Sequence, residues 1–299
     1  MLCLVKSLTI KKMKIGDLVV RKSYDMDITF KIMDIKEEEG EKKYILKGIS
    51  IRIIADSKED DLEEVKENYV GEQEKILNSR VKSAINRAIS VRKDVLSSRG
   101  KSSKIEVKNE LMFGRPGRIL HVDGDKEYME TCLKVYKQLH LDAVGKAIPE
   151  REQPKVIVDL VKEIKPDIVV LTGHDGVLKR TNDYLDLNCY RNSKYYIESV
   201  KALRNYNGSY DELVIFAGAC QSCYECLLDY GANFASSPSR VLIHCLDPVF
   251  ICEKIAYTRI DEVVSITDVI DNTITGIKGI GGLQTRGKYR EGYPKSSYI

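Results

Sequence analysis

The sequence carries little net charge and lacks the long apolar runs that mark membrane-spanning helices. Its 48 Lys and Arg residues nearly balance its 45 Asp and Glu residues, which leaves a formal net charge of +3. Such a balance gives no overall electrostatic indication of nucleic-acid binding. No stretch reaches the roughly 18 consecutive apolar residues that a membrane-spanning helix requires. We therefore expect partners other than nucleic acid and no insertion into a membrane.

A secretory signal is also missing from the first residues of the sequence. The stretch Met1–Thr9 is too short for the apolar core of a signal peptide and lacks a cleavage motif. The chain has eight cysteines, and an even count implies disulfides only in an oxidising compartment. We expect a cytoplasmic protein whose thiols are reduced.

Short β-branched stretches separated by turns occupy residues 1–57. They predict strands at Ile15–Arg21, Ile28–Ile35, Lys43–Leu46 and Ile51–Ile54. The segment IGDLVVRKSYDMDITFKIMDI resembles the opening of a small SH3-like β-barrel. We predict a separate N-terminal module here, with either a structural or a binding role.

Residues 58–118 change to a helical and Arg-rich composition. Apolar positions from Leu62 to Ile89 recur at helical spacing among charged residues, which predicts one or two helices. Residues 97–118 then combine Ser, Gly and Pro with many cations, as linkers do. Arginines occur throughout this region, at Arg80, Arg87, Arg92, Arg99, Arg115 and Arg118. The simplest interpretation is a solvated helix followed by a loop.

Residues 119–299 alternate apolar strands with amphipathic helices. Continuous apolar segments include Asp167–Thr172, Leu213–Ala217 and Val241–Cys245, and none shows in-and-out alternation. This pattern is typical of a parallel sheet covered by helices on both faces. We predict an α/β domain, in which a functional site would lie at the carboxyl ends of the strands.

Two of those strand ends carry residues that could perform chemistry. The segment DIVVLT leads into His174, and LVIFA leads into Cys220. If the two strands are neighbours, the imidazole and the thiol emerge at the same edge of the sheet. A thiol needs a nearby base or cation to become a nucleophilic thiolate, and His is a natural partner. A lone Cys or His is more often a buried structural residue, but the pair on one sheet edge indicates a cysteine nucleophile with a histidine base.

Cys220 also begins a run of three cysteines with Cys223 and Cys226. This spacing resembles part of an iron–sulfur motif, but no Cys-Pro follows where a fourth ligand is expected. On a helix, Cys223 and Cys226 could equally pack against the sheet. We predict no metal and no cofactor. A thiol-based redox or metal protein stays open as an alternative, as does a non-enzymatic assembly or adaptor protein.

The layout of a strand followed by His, and a second strand followed by Ala-Cys, resembles caspase-like peptidases. The resemblance implies a caspase–hemoglobinase-like parallel sheet sandwiched by helices. It also implies a catalytic dyad of Cys220 and His174, with an oxyanion hole built from backbone N–H groups. One such group is that of Cys220. The other comes from Asp175 or Gly176, because this sequence has His-Asp-Gly where the group usually has His-Gly.

A closer resemblance covers nearly the whole chain. The segments LHVDGD, LTGHD, DLNCYRNSKYYIESV, VIFAGACQS, GANFASSPSRVLIHCLDPV and GIGGLQTRG occur in order and look like the YabG family of sporulation-specific peptidases. The resemblance implies a cysteine endopeptidase that cleaves after arginine. It also implies that the substrates are spore coat and cortex-related proteins, and that the enzyme is present in the sporulating cell or associated with the coat.

Cleavage after arginine requires a carboxylate in the pocket that binds the substrate side chain. Some Arg-specific relatives carry an Asp two residues before the Cys, where this chain has Gly218. Other members of that group carry an Asp at the end of the first strand, where this chain has Asp123 and Asp125. The resemblance therefore implies Asp123, then Asp125, as the specificity acid, with Asp247 after the VLIHC segment as the third candidate. The alternative for the first two is a turn and helix cap, where Asp is common. An Arg-specific enzyme could also cut itself between Arg80 and Arg118.

Overall fold

The structure, a computed structural model, describes residues 13–38, 40–65, 72–99, 112–178, 183–296 and 298. The chain divides into two compact units. The first comprises Met1–Ile49 and Ile53–Ile76, and the second comprises Ser50–Arg52 and Leu77–Ile299. Three residues from the middle of the N-terminal region thus belong to the second unit.

The first unit is an antiparallel sheet of five strands. Its strands are β1 (Leu18–Arg21), β2 (Phe30–Glu38), β3 (Glu41–Gly48), β4 (Ile54–Lys58) and β5 (Leu62–Glu64). Their order across the sheet is β4-β3-β2-β1-β5. Apolar side chains that alternate along the strands close over one core, which contains Val19, Phe30, Ile32, Tyr44, Leu46 and Leu62.

The predicted helix over residues 58–98 begins later than its apolar spacing indicates. Leu62 lies in β5 and pairs with Arg21 of β1, so the expectation that it is helical is wrong. Its side chain is buried in the core of the sheet, a tertiary contact that overrides local periodicity. Helix α1 runs from Glu72 to Arg99. Of the predicted linker, residues 100–111 lie outside the described part of the chain.

The second unit is built on a six-stranded sheet. Its strands in chain order are β7 (Ile119–Asp123), β8 (Ala143–Ala147), β9 (Ile168–Thr172), β10 (Val214–Ala217), β11 (Phe234–Ser236) and β12 (Ile280–Gly282). Strands β6 (Phe113–Arg115) and β13 (Arg290–Gly292) form a separate antiparallel pair. The large sheet has the order β12-β11-β10-β9-β7-β8. All neighbours are parallel except β11 and β12, so the sheet is mixed and not wholly parallel as predicted.

Helices cover both faces of this sheet, as the alternating sequence pattern predicts. They are α2 (Lys126–Gln138), α3 (Gln153–Ile164), α4 (Ser193–Tyr206), α5 (Tyr224–Asp229), α6 (Asp247–Tyr257) and α7 (Ile266–Asn272). Alternate strand residues face two separate cores: Val170 packs in one and Leu171 in the other. Within the described residues, no helix has the length and apolarity that crossing a membrane would demand.

The apolar segment Val241–Cys245 is not the third strand of the sheet, which corrects the prediction. The place beside β10 is taken by β11, where Phe234 pairs with Phe216. His244 instead makes an isolated antiparallel bridge with Ile51. Val241–Cys245 is apolar because much of it is buried near the strand ends, and burial alone does not distinguish a strand from another buried segment.

Candidate active site

His174 follows β9 and faces a carboxylate. Its Nε2 lies 2.9 Å from Oδ2 of Asp125, at the N-terminus of α2. Its Nδ1 is buried and has no hydrogen-bond partner among the described residues. When Nε2–H donates to Asp125, the neutral ring leaves Nδ1 unprotonated. The imidazole is thus oriented by a carboxylate on one side and has a proton acceptor on the other.

The backbone of His174 is fixed at both of its polar groups. Its N–H donates to Oε1 of Glu150 over 2.7 Å, and its carbonyl accepts from Asn192 Nδ2 and Tyr196 OH. Gly173 permits this arrangement, since a Cβ there would lie 2.2 Å from Oε1 of Glu150. The histidine loop is therefore rigidly placed before any substrate binds.

Asp175 ties the histidine loop to the loop that carries Cys220. Its carboxylate accepts from Ser193 Oγ, from the Gly176 N–H and from Ser222 Oγ, the last over 2.8 Å. Ser222 Oγ in turn accepts from the N–H of Ala219 over 2.9 Å. Burial raises the pKa of Asp175, and these donors act in the opposite direction. One buried carboxylate thus connects the turns that follow β9 and β10.

Cys220 lies in the turn after β10 and is 2% exposed. Its Sγ accepts a hydrogen bond from the N–H of Ile243 over 3.2 Å. Burial raises the pKa of the thiol to about 12, so the group is protonated at neutral pH. No hydrogen bond joins Sγ to His174 within the described residues. The next residue, Gln221, has a φ of 55°, a left-handed conformation that sharpens the turn.

The two loops lie side by side because β9 and β10 are parallel neighbours, with Leu171 opposite Ala217. Their carboxyl ends therefore share one edge of the sheet. Gly218 begins the second turn with a φ of +107°, and a Cβ there would lie 2.5 Å from Ser236 Oγ. An acidic side chain at position 218 would not fit in this arrangement.

Asp123, at the end of β7, binds an arginine of this chain. Arg52 donates from Nη1 to Oδ1 over 3.1 Å and from Nη2 to Oδ2 over 2.7 Å, and both side chains are wholly buried. Burial raises the pKa of Asp123, but Arg52 and His121 lower it more, so it falls well below its ordinary value. Asp123 is a charged carboxylate in a paired, bidentate geometry.

The other two predicted specificity acids have different surroundings. Asp125 caps α2 by accepting from the N–H groups of Glu127 and Tyr128, and also contacts His174. Asp247 is fully buried and accepts from the N–H groups of His244, Ile274 and Thr275, and from Oγ1 of Thr275. Burial raises the pKa of Asp247. Its donors are backbone groups and a hydroxyl of this chain, whereas Asp123 binds a guanidinium.

The comparisons with known proteins agree with these motifs. The family model of the YabG peptidases, peptidase U57, matches residues 14–294. The chain belongs to this family. It is 42% identical over 289 residues to the sporulation-specific protease YabG of Bacillus subtilis (strain 168), which covers 95% of this chain and 99% of that protein. No solved structure matches the chain significantly.

The cysteine run that begins at Cys220 does not assemble into a ligand cluster in the part of the chain that the structure describes. No group of three or more His, Cys, Asp or Glu side chains is arranged there to hold a metal ion. Cys223 lies with its Sγ 3.5 Å from the carbonyl oxygen of Tyr184, and burial raises its thiol pKa to about 12. The seven described cysteines are free thiols.

Two contributors to this edge of the sheet were missed from the sequence. Arg52 lies between two isoleucines in a run that reads as a strand, and it meets Asp123 from 71 residues away. Only knowledge of the folded chain reveals that contact. Asp125 was expected to bind substrate or to cap a helix, whereas it caps α2 and also orients His174. Its position directly after a buried strand was the available signal.

Proposed function

We propose that this chain is an Arg-specific cysteine endopeptidase that acts during sporulation, with Cys220 as nucleophile and His174 as base. The observation that carries the proposal is the shared edge of β9 and β10. There an imidazole that is oriented by a carboxylate and a cysteine in a sharp turn lie on loops joined by Asp175. The Nδ1 of that imidazole is buried and has no hydrogen-bond partner among the described residues. The sporulation role rests on family membership and on the name of the B. subtilis relative.

In the proposed mechanism, His174 accepts the proton of Cys220 and the thiolate attacks the carbonyl carbon of the substrate arginine, at the bond to the next residue. Asp125 is the positioning residue that stabilises the imidazolium formed in this step. His174 then gives its proton to the departing amine, and water hydrolyses the acyl-enzyme. Because Sγ is buried in the resting structure, the thiol and imidazole must approach each other when substrate binds.

The proposed oxyanion hole uses the backbone N–H groups of Cys220 and Asp175. Gly176 is the weaker of the two predicted partners, because its N–H already donates to the Asp175 carboxylate over 2.8 Å. An N–H that is engaged in a charge-assisted bond has less to offer a developing oxyanion. The rigid attachment of the histidine loop supports a preorganised hole.

Arginine specificity is proposed to reside in Asp123. Its carboxylate binds the guanidinium of Arg52 with two nearly parallel hydrogen bonds, the geometry expected for a substrate arginine. Asp125 is committed to His174, and Asp247 to the backbone of its own neighbourhood. We therefore retain the first of the three predicted acids as the specificity residue.

The finer fold assignment is part of the same proposal. The sheet order extends the doubly wound 2-1-3-4-5 arrangement by one antiparallel strand, which supports a caspase-like domain. In the first unit, β1 to β4 form a meander and β5 returns to pair with β1. This arrangement supports an SH3-like barrel. We further propose spore coat and cortex-related proteins as substrates and association of the enzyme with the coat.

Self-cleavage between Arg80 and Arg118 stays a proposal, and the structure distinguishes the candidate sites. Arg80, Arg87, Arg92 and Arg99 lie within α1, whose helix would have to open before an extended groove could accept it. Arg115 lies in the exposed strand β6. Intact-mass analysis of wild type and Cys220→Ala after equal incubation tests the proposal. Equal clipping in both proteins would contradict it.

The catalytic assignment is tested with fluorogenic peptides that differ only in having Arg, Lys or Gln before the scissile bond. We expect wild type to cleave the Arg peptide, and Cys220→Ala and His174→Ala to lose cleavage by a factor of about 10³ or more. Cys226→Ala and His140→Ala are matched controls that should keep wild-type rates. Unchanged turnover in Cys220→Ala, or equal cleavage of all three peptides, would contradict the proposal.

A further inference from the structure

The segment Ser50–Arg52 is bound along the chain that passes Cys220. Ile51 and His244 form an antiparallel bridge, in which the N–H of Arg52 donates to the Ile243 carbonyl over 3.2 Å. The N–H of Cys245 donates to the Ser50 carbonyl over 2.9 Å. This is a short two-stranded ladder made by an extended peptide. The Tyr128 hydroxyl adds a third contact by donating to the carbonyl of Ile51 over 2.8 Å.

The side chain of Arg52 completes this binding in the cleft at the carboxyl ends of the strands. Its guanidinium pairs with Asp123, reaches the carbonyl of Gly173 over 3.4 Å and lies over the ring of Tyr128. Gly173 immediately precedes His174. Arg52 therefore extends from the ladder to the base of the site and places its charge beside the catalytic histidine loop.

The backbone of Arg52 and the thiol of Cys220 share one neighbouring residue. The N–H of Ile243 donates to Sγ, and the carbonyl of the same Ile243 accepts from the N–H of Arg52. A peptide held in this way presents the residue at position 52 next to the nucleophile. Its side chain fills the acidic pocket, and its preceding residues run along the ladder.

We propose that Ser50–Arg52 is an intramolecular substrate mimic that occupies the groove of this peptidase with Arg52 in the arginine pocket. The inference rests on the proposed function and adds a regulation to it: the resting enzyme is competitively inhibited by its own chain. The ladder Ile243–Cys245 is then the surface that binds the residues preceding the scissile bond of a substrate. The competing interpretation is that Arg52 only neutralises Asp123 within the fold.

The local hairpin favours inhibition over cleavage after Arg52. The next residue, Ile53, accepts a hydrogen bond at its carbonyl from the N–H of Gly48 over 2.9 Å. This bond closes the end of the β3–β4 hairpin, so after cleavage Ile53 would stay hydrogen-bonded to Gly48, two residues before Ser50. A leaving group held in place favours re-formation of the peptide bond, since the reverse step remains intramolecular.

The expected change in apparent KM can be estimated because Ser50–Arg52 is covalently linked to the site that it occupies. A linked segment competes at an effective concentration on the order of millimolar, so a peptide substrate well below that level competes poorly. Removing the arginine should lower the apparent KM for an Arg peptide about tenfold or more. It should leave kcat nearly unchanged, because Arg52 takes no part in the chemistry.

The first experiment measures kcat and KM for the Arg peptide in wild type, Arg52→Gln and Arg52→Lys. We expect the largest fall in KM for Arg52→Gln. Arg52→Lys retains the charge near Asp123 but lacks the bidentate fork, so we expect an intermediate fall. Arg204→Gln is the matched control, because Arg204 is a half-buried arginine whose guanidinium donates to the carbonyls of Gly231 and Leu213 elsewhere in the unit. Its KM should equal that of wild type.

Thermal unfolding of each variant distinguishes a protein that no longer folds from a folded protein that has lost only the inhibitory contact of Arg52. If Arg52→Gln fails to fold, Arg52→Lys decides the question. A folded Arg52 variant whose KM stays within twofold of wild type would overturn the inference. If wild type cleaves no Arg peptide while an Arg52 variant does, the inference is supported in its strongest form.

The second experiment does not depend on catalysis. Binding of a fluorescent N-acetylated peptide amide that ends in Arg is measured by polarisation in Cys220→Ala and in Cys220→Ala with Arg52→Gln. We expect binding about tenfold tighter in the double variant, and no such gain for the same peptide ending in Gln. Equal affinities in the two proteins would refute groove occupancy. Tighter binding in the double variant, together with no cleavage by any protein that retains Cys220, would support occupancy of the groove by Ser50–Arg52 and contradict the proposed peptidase function.

Discussion

The loop after β9 and the loop after β10 end neighbouring strands, but they hold their functional side chains in different ways. His174 is oriented by the Asp125 carboxylate, and both of its backbone polar groups are bonded to side chains. Cys220 is buried, and its Sγ accepts a hydrogen bond from the Ile243 N–H and bonds no carboxylate or imidazole among the described residues. In the roles proposed above, the imidazole is thus oriented for proton transfer, whereas burial keeps the Cys220 thiol protonated.

This difference identifies the step that activation must supply. In its proposed role, an imidazole whose Nε2 is bonded to a carboxylate and whose Nδ1 has no hydrogen-bond partner among the described residues can accept a proton once the thiol approaches it. A buried thiol with a pKa of about 12 supplies almost no thiolate at neutral pH. If Cys220 is the nucleophile, as proposed, the change that prepares it for reaction occurs around its thiol, where Ile243 contacts both the thiol and Arg52.

The largest expected effect concerns the histidine side. Asp125→Asn should reduce kcat by about 10³–10⁴-fold, because the amide cannot stabilise the imidazolium that forms during attack. Asn is as good a helix cap as Asp, so the capping of α2 should survive. Kinetics with the Arg peptide, combined with urea unfolding, measure both effects.

Asp125→Ala is the matched comparison for that variant. It should show a similar loss of kcat and an additional loss of about 1 kcal/mol in the free energy of unfolding, because the cap is also removed. If Asp125→Asn retains more than a tenth of wild-type kcat, the carboxylate is only a cap. His174 would then have no carboxylate that supports its proposed role, and the contrast with Cys220 in the loop after β10 would be lost.

The next largest effect tests the acidic pocket. Asp123→Asn should lower the free energy of unfolding by about 3–5 kcal/mol, because it leaves the buried Arg52 guanidinium without its counter-ion. The loss should depend on pH. The folded-state pKa of Asp123 is lowered, so its stabilisation is present above the unfolded pKa of about 3.9 and is lost as pH falls below it.

Urea unfolding of wild type and Asp123→Asn between pH 3 and pH 7 measures this dependence. The difference in stability between the two proteins should shrink as the pH falls. A constant difference across this range would show that Asp123 is not the charged partner of Arg52. In the proposed function, a folded Asp123→Asn protein should also lose its preference for Arg over Gln peptides.

These regions also show what sequence could and could not predict. Strands β9 and β10 are continuous apolar runs that end in His174 and Cys220, so their place in the sheet followed from pattern alone. Strand β11 contains Phe234, Ala235 and Ser236, a short segment with little pattern. The more apolar segment Val241–Cys245 gives the stronger strand signal in the sequence. Short buried segments differ by tertiary pairing, which periodicity does not contain.

The same distinction between local pattern and long-range contacts applies to the candidate site. Residues that directly follow a strand were identified, because the chain itself carries them to the sheet edge. Arg52 was not, since its role depends on a contact with Asp123 made across 71 positions of the sequence. The catalytic roles stay predictions that the experiments above address, and the caspase-like fold stays a prediction that rests on the order of the strands.

A smaller effect is expected where the two loops are joined. Ser222→Ala removes a donor to Asp175 and an acceptor for the Ala219 N–H, both buried. The groups left unpaired should cost about 1–3 kcal/mol of the free energy of unfolding. Because the link is lost, kcat should also fall. Ser199→Ala is the matched control: its buried hydroxyl bonds only the Tyr195 carbonyl within α4, and kcat should not change. Equal kcat values in the two variants would contradict coupling of the loops.

The smallest effect probes the burial of the cysteine side directly. Burial raises the thiol pKa of Cys220 to about 12 from its ordinary value of 9.0. The contribution of the buried neutral thiol to the free energy of unfolding is therefore complete below pH 9 and is lost as the pH rises toward 12. Raising the pH from 8 to 10 should therefore lower the free energy of unfolding by about 1.4 kcal/mol for this one thiol. Cys220→Ala should lose that share of the pH dependence.

Cys252→Ala provides the comparison, because burial also raises the pKa of that thiol to about 12 but it lies in α6 and contacts the Tyr136 hydroxyl. Urea unfolding at pH 8 and pH 10, under reducing conditions, should give both variants the same reduced slope. If only Cys252→Ala loses part of the slope, Cys220 is not buried in the resting protein. The Cys220 thiol would then be accessible in the resting protein, as the contrast with His174 does not allow. The segment Ser50–Arg52 would then not shield it.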